Sequence, residues 1–203
     1  KKYYHPIRIG QRLLVLPAWM ENTEPDRIVV KIDPSMSFGT GTHPTTQLCL
    51  EMIETYTPAG EPVIDVGCGS GILSIAAVKM GASKVVAVDV DEAAVQSTRE
   101  NASANGVLDR IESGAGSVQE LLDSRFTLRQ APLVLANILA PIIVRLFDQG
   151  MAELVRPGGT IILSGILAGQ VATVDEAAVA RGLRRVEQKN ISDWVALAYR
   201  RLT

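Results

Sequence analysis

Apolar residues follow two different rhythms along this chain. Near the start, two short runs rich in Val, Ile and Leu, 7–16 and 27–31, flank the turn-prone stretch Glu21-Asn22-Thr23-Glu24-Pro25-Asp26. Runs of this kind bounded by turn formers predict two short strands of a small antiparallel element. A loop dense in Gly, Pro, Ser and Thr occupies 33–44 and closes on a helix whose start is marked by Pro44, Thr45 and Thr46. Proline suits the first helical turn, and Leu48, Leu50, Met52, Ile53 and Tyr56 supply an apolar face.

From Pro62 the rhythm becomes a regular alternation of short apolar runs and helix-period segments. Strands are predicted over 63–66, 84–88, 110–113, 133–137 and 160–164, and helices over 72–80, 92–105, 118–122, 140–154 and 170–181. Gly81 and Gly106 end two of these helices and Pro157-Gly158-Gly159 ends a third. Repeated strand–helix units of this length form a parallel sheet covered on both faces. The last two runs, Leu183–Ile191 and Trp194–Arg201, are separated only by Ser192 and Asp193, which is hairpin spacing. The expectation is an α/β fold, mostly parallel with one antiparallel strand near its end. It divides into an N-terminal linker and β element, 1–33, and a larger domain, 34–203.

Composition narrows the classes of function. The chain has 203 residues, 47% of them hydrophobic and 21% charged, enough apolar surface for one ordered core. Twenty basic and 22 acidic side chains leave a net charge of −2, without the excess that grips nucleic acid phosphates. Cys49 and Cys68 are the two cysteines, too few for a disulfide framework or a four-ligand zinc site, so no metal and a cytoplasmic location are expected. The apolar runs fall short of the roughly 18–20 residues that cross a bilayer, and no export or membrane segment is expected.

The strongest chemical signal is Val63-Ile64-Asp65-Val66-Gly67-Cys68-Gly69-Ser70-Gly71-Ile72-Leu73, a strand entering a glycine turn that opens a helix. Glycines at 67, 69 and 71 clear side chains where backbone approaches a ligand, beside the open N–H groups of a helix start. The spacing is G-x-G-x-G; a dinucleotide fingerprint has G-x-G-x-x-G, and position 72 is Ile. Asp89 ends the next strand, where a carboxylate accepts from both ribose hydroxyls of a nucleoside, in NAD or in S-adenosylmethionine alike. Asp65 separates these two ligands. An acid inside the turn repels a pyrophosphate but suits the ammonium of a methionine moiety, so S-adenosylmethionine is favoured. The plainer alternative makes Asp65 a satisfied turn carboxylate and the glycines a tight bend.

Asn137 ends the fourth strand of the series, where this architecture places reacting groups. Its amide oxygen can accept a hydrogen bond from an amine nucleophile but cannot act as a base. It is equally readable as a strand-end turn residue. His43 reads as a loop hydrogen-bonding residue ahead of Pro44 more readily than as a general base. Cys68 reads as a small buried filler rather than a nucleophile, and Trp19 and Trp194 as packed aromatics rather than a substrate frame.

In combination, Phe38-Gly39-Thr40-Gly41-Thr42-His43-Pro44-Thr45-Thr46, the glycine turn, Ala136-Asn137-Ile138-Leu139 and Leu163-Ser164-Gly165-Ile166-Leu167 closely resemble the bacterial PrmA family, from about His5 to the C-terminus. Its members methylate ribosomal large-subunit protein eleven. The resemblance implies a class I, Rossmann-like S-adenosylmethionine-dependent protein methyltransferase that modifies lysine ε-amines and the N-terminal α-amine of that protein, its substrate and partner. Carried over by motif, Thr46, Gly67, Asp89 and Asn137 are implied to contact the cofactor, joined by Asp65 and Gly69 from the glycine-turn reading. Phe38, Gly39 and Thr40 are implied to fold over the cofactor, and Asn137 to sit beside the transferring methyl group. Family members carry a separate N-terminal recognition domain; this chain lacks an initial methionine and is expected to begin at the linker, with cofactor binding retained. Ser113-Gly114-Ala115-Gly116-Ser117 lacks the acid that many such enzymes place against the adenine amine, which leaves Ser117 or backbone to hold it. A monomer is the expectation. The alternatives are a methyltransferase acting on another protein or small-molecule amine, or a cofactor-binding domain without activity.

Overall fold

The computed structural model describes residues 5–33 and 43–203. Where two antiparallel strands are expected at the start, three form: β1 (Ile7–Ile9), β2 (Leu13–Pro17) and β3 (Ile28–Ile32). The antiparallel pair, β1 with β2, forms within the first run, whereas the pairing between the two runs, β2 with β3, is parallel rather than antiparallel as expected. The first apolar run is split by a turn at Gly10, and the second strand returns through a long connection rather than a hairpin. Glu54, on helix α1 (Pro44–Tyr56), holds that turn by accepting from the backbone N–H groups of Gln11, Arg12 and Leu13 at 2.8–2.9 Å. From the other side, the Arg27 guanidinium donates to the carbonyls of Ile9, Gly10 and Leu13. Ile9, Leu13, Val15, Val30 and Ile32 are buried in one apolar cluster with the inner face of α1, so the small sheet shares a core with the larger one.

The larger sheet carries the expected alternation: β4 (Pro62–Val66), α2 (Ile72–Lys79), β5 (Lys84–Asp89), α3 (Glu92–Ala104), β6 (Ile111–Ala115), α4 (Val118–Leu122), β7 (Ala131–Asn137), α5 (Ala140–Asp148), β8 (Val155–Leu167), α6 (Val171–Val179), β9 (Leu183–Ile191) and β10 (Trp194–Arg201). The strand order is β6-β5-β4-β7-β8-β10-β9, parallel except for β10, which runs antiparallel to both its neighbours. Strand residues alternate between two cores. Val63, Val85, Leu133 and Leu135 face α1, α2 and α3, whereas Ile64, Val66, Val86 and Val134 face α4, α5 and α6. α2 is buried almost all round because it is wedged between the sheet, α1 and β3.

Two expectations require correction. The helix read over 140–154 ends at Asp148; Gly150 turns left-handed (φ 101°) and a separate 3-10 turn, Met151–Leu154, follows. Pro157, Gly158 and Gly159 therefore do not close a helix but lie within β8, where β7 advances from Ala131 to Leu133 while β8 advances from Val155 to Thr160. The bulge is packed so closely that a Cβ on Gly159 would stand 2.8 Å from the Pro132 carbonyl oxygen. Turn chemistry serves a strand bulge as well as a helix end, and the flanking residues alone do not separate the two.

Removing the Glu54 carboxylate frees three backbone donors at once. Glu54→Ala is expected to lower the unfolding free energy by about 1–2 kcal/mol, seen as an earlier urea midpoint with an unchanged slope.

Candidate active site

β4 and β7 are neighbours, yet α2 leaves β4 toward one face of the sheet and α5 leaves β7 toward the other. Their divergence opens a crevice beyond the carboxyl ends of the strands, where doubly wound proteins bind ligands. A cavity of about 470 Å³ occupies it, within the usual range for small-molecule sites.

The glycine turn forms its floor. Gly67 and Cys68 both donate to the Val88 carbonyl, which ties the turn to β5. Gly67 has φ 76°, and a Cβ there would meet Ile138 Cγ2 at 2.8 Å, so strand β7's end and the turn approach as closely as they do only with glycine. Asp89 stands at the tip of β5 with both carboxylate oxygens engaged. Oδ2 accepts from the Gly69 N–H and Oδ1 from the Asp91 N–H, each at 3.0 Å. Each oxygen retains a second lone pair toward the cavity. Val90, Ala94, Ile142 and Leu146 give the crevice apolar walls, with Ser117 at the N-cap of α4.

Asn137 lies at the tip of β7. Its Nδ2 donates to Thr46 Oγ1 at 3.4 Å, and the residue lines the cavity. The first turn of α1 is locked to the same strand tips, because Ser164 Oγ donates to the Thr45 carbonyl at 2.9 Å. A register shift in the β8–β10 pairing accompanies this contact, and Gly165 is needed there, since a Cβ would stand 2.3 Å from the Ile138 carbonyl oxygen. His43 caps α1, accepting the Thr45 N–H on Nδ1 at 3.2 Å, and its ring packs edge-on to Trp194 at 5.0 Å between centroids.

Gly67, Gly69, Asp89 and Asn137 thus meet around one cavity, as do His43, Ser117 and Trp194. Thr46 is fully buried behind Asn137; the residue at the wall is its neighbour Thr45. Asp65 is not brought to the cavity. It is fully buried beneath the turn, where Ser74 Oγ donates to Oδ2 at 2.6 Å and Oδ1 has no hydrogen-bond partner among the described residues. Burial, opposed by the Ser74 contact and reinforced by the negative charge of Asp89, pushes its carboxyl up to about 7. Cys68 is buried, and burial lifts its thiol to about 12, which suits a filler rather than a nucleophile. Trp19 is 41% exposed and stands apart from the cavity. Phe38, Gly39 and Thr40 lie outside the described residues.

Sequence reasoning missed the apolar walls and a hydrogen-bonded support behind the turn. Val90 follows Asp89 directly, and Ile142 and Leu146 are one helical turn apart on α5. Thr98 and Asn101 of α3 donate to the carbonyls of Gly69 and Ser70 at 3.0 and 2.8 Å.

This strand order, with its glycine turn, strand-tip acid and single antiparallel strand, is the Rossmann-like fold of the class I methyltransferases. The family described as ribosomal protein L11 methyltransferase (PrmA) matches residues 1–202, and the chain belongs to that family. Relatives named ribosomal protein L11 methyltransferase include one from Brevibacillus brevis, 46% identical over 97% of this chain, and one from Exiguobacterium sp., 43% identical over 97%. The chain spans 62% of the length of each. The crystal structure of ribosomal protein L11 methylase from Lactobacillus delbrueckii subsp. bulgaricus superposes with a TM-score of 0.85 at 32% identity, covering 99% of this chain and 100% of that one. A putative methyltransferase, SMU.776, complexed with SAH shares the fold with a TM-score of 0.64 at 14% identity.

The folded-state pKa of Asp65, about 7, stands above its ordinary 3.8, so the native chain holds a proton that the unfolded chain releases over this range. Its contribution is full at low pH and is lost as pH rises through the folded value. The unfolding free energy of the wild type relative to Asp65→Asn is expected to fall between about pH 5 and about pH 8. A difference that stays constant in urea titrations at the two pH values would show that Asp65 is ionised throughout.

Proposed function

We propose that this chain binds S-adenosylmethionine in the β4–β7 crevice and is the catalytic part of an enzyme that methylates amino groups of ribosomal protein L11, lysine ε-amines and the N-terminal α-amine among them. The observation that carries the reading is that Asn137 faces the same cavity as Asp89 and the glycine turn, so an acceptor-orienting amide and a ribose-binding acid address one bound molecule. The names of the relatives support the substrate.

The residues present fit such a ligand. Both Asp89 oxygens are already oriented by backbone N–H groups, so their outward lone pairs meet two vicinal hydroxyls without reorganisation. Val90 and Leu146 offer apolar surface to a base, and Gly67 and Gly69 leave room for a chain running along the turn. When bound, S-adenosylmethionine supplies a methyl group on a positively charged sulfur, a leaving group that needs no acid.

The remaining work belongs to the protein. With its Nδ2 held by Thr46, Asn137 presents Oδ1 to an N–H of the incoming neutral amine and aligns the nitrogen lone pair with the methyl carbon. Ile138, Leu139 and Trp194 around it exclude water from the approach. We further assign 1–33 as a linker and β element and 34–203 as the catalytic domain, of a monomer acting in the cytoplasm. Among the described residues no helix is long and apolar enough to cross a membrane.

Calorimetric titration with S-adenosylhomocysteine (SAH) is expected to show one site. Asp89→Ala should weaken it by about 1.5–3 kcal/mol, and wild-type affinity in that variant would remove Asp89 from the ribose. Asn137→Ala is expected to keep SAH affinity and lower turnover in the whole protein, read as the mass of ribosomal protein L11 after incubation with the methyl donor. No mass change with the wild-type enzyme would overturn the activity.

A further inference from the structure

The glycine turn has a second side, which faces α3. Gly69 donates its N–H to Asp89 Oδ2 at 3.0 Å and accepts from Thr98 Oγ1 on its carbonyl at 3.0 Å. These two bonds sit on the peptide planes before and after the Gly69 Cα, so together they hold both soft dihedrals of a residue at φ 54°. The next peptide is held as well, since Asn101 Nδ2 donates to the Ser70 carbonyl at 2.8 Å. Thr98 is fully buried and Asn101 is 3% exposed, one turn apart on the inner face of α3. Neither residue lines the cavity. Asn101 also accepts, on Oδ1, from the backbone N–H of Asp33 at the end of β3.

Resting on the donor-binding reading above, we propose that Thr98 and Asn101 are positioning residues for the methyl donor, acting through Gly69 and Ser70. A turn with three left-handed glycines at 67, 69 and 71 is flexible by composition, and a ligand that had to order it on binding would lose affinity to that entropy. The α3 pair orders the turn beforehand. It draws the two carbonyls away from the cavity and, through the Gly69 N–H, fixes the carboxylate of Asp89 in the orientation the ribose meets. The third glycine serves the same contact, for a Cβ on Gly71 would stand 2.9 Å from Thr98 Cγ2 and 3.0 Å from its Cα.

Thr98→Val is nearly isosteric and deletes only the hydroxyl, whereas Thr98→Ser keeps it. The structure assigns a roughly three- to tenfold loss of SAH affinity to Thr98→Val, the worth of one neutral hydrogen bond, and affinity within about twofold of wild type to Thr98→Ser. Asn101→Ala is expected to lose affinity by a similar factor. Calorimetry with SAH on the purified chain reads all three. Wild-type affinity in Thr98→Val, or equal losses in Thr98→Val and Thr98→Ser, would overturn the positioning role and leave the donor site standing. A wild-type chain that does not bind SAH would overturn the donor site itself, and this inference with it.

Discussion

The direction of the strands is the constraint from which the site follows. Because β6, β5, β4, β7 and β8 all run the same way, their carboxyl ends lie along one edge. Right-handed crossovers place α2 and α3 on one face, and α4 and α5 on the other. The reversal falls between β4 and β7, so these two adjacent strands send their chains apart and leave a gap between them. Asp89 from β5, the glycine turn from β4 and Asn137 from β7 come to that gap without any of them being near another in sequence.

Two aspartates from adjacent strands show how position along a strand sets chemistry. Asp65 lies one residue inside the end of β4, beneath the turn, and is sealed from water with one oxygen unpartnered among the described residues. Asp89 is the last residue of β5, reaches past the sheet, and meets backbone N–H groups on both oxygens. Burial therefore raises the carboxyl of the first, while the second remains an open acceptor.

The small N-terminal sheet and α1 are structural partners of this edge as much as an appendage to it. β3 is tied to α3, because Asn105 donates to the Lys31 carbonyl and accepts its N–H at 2.7 and 2.8 Å. α1 in turn is tied to the tips of β7 and β8 through Thr46 and the Thr45 carbonyl. β3 and α1 are thus each anchored beside the crevice, one to the helix behind the glycine turn and the other to Asn137.

Much of this was written locally. Period-two and helix-period patterns set the strands and helices of 62–201, and the Ser192-Asp193 turn set the final hairpin, because backbone sterics and burial act over a few residues. The glycine turn, Asp89 and Asn137 were legible for the same reason: each is marked by its place at a strand end. The pairing of β2 with β3 was not legible, nor was the bulge at Pro157-Gly158-Gly159, because turn formers do not say which strand the chain returns to. Nor could any local pattern separate Thr45 at the wall from Thr46 behind it, turn Asp65 under the glycine bend, or reveal Thr98 and Asn101 as its supports. Those outcomes depend on which side of a helix meets which neighbour, a matter of packing between distant segments that only the folded chain decides.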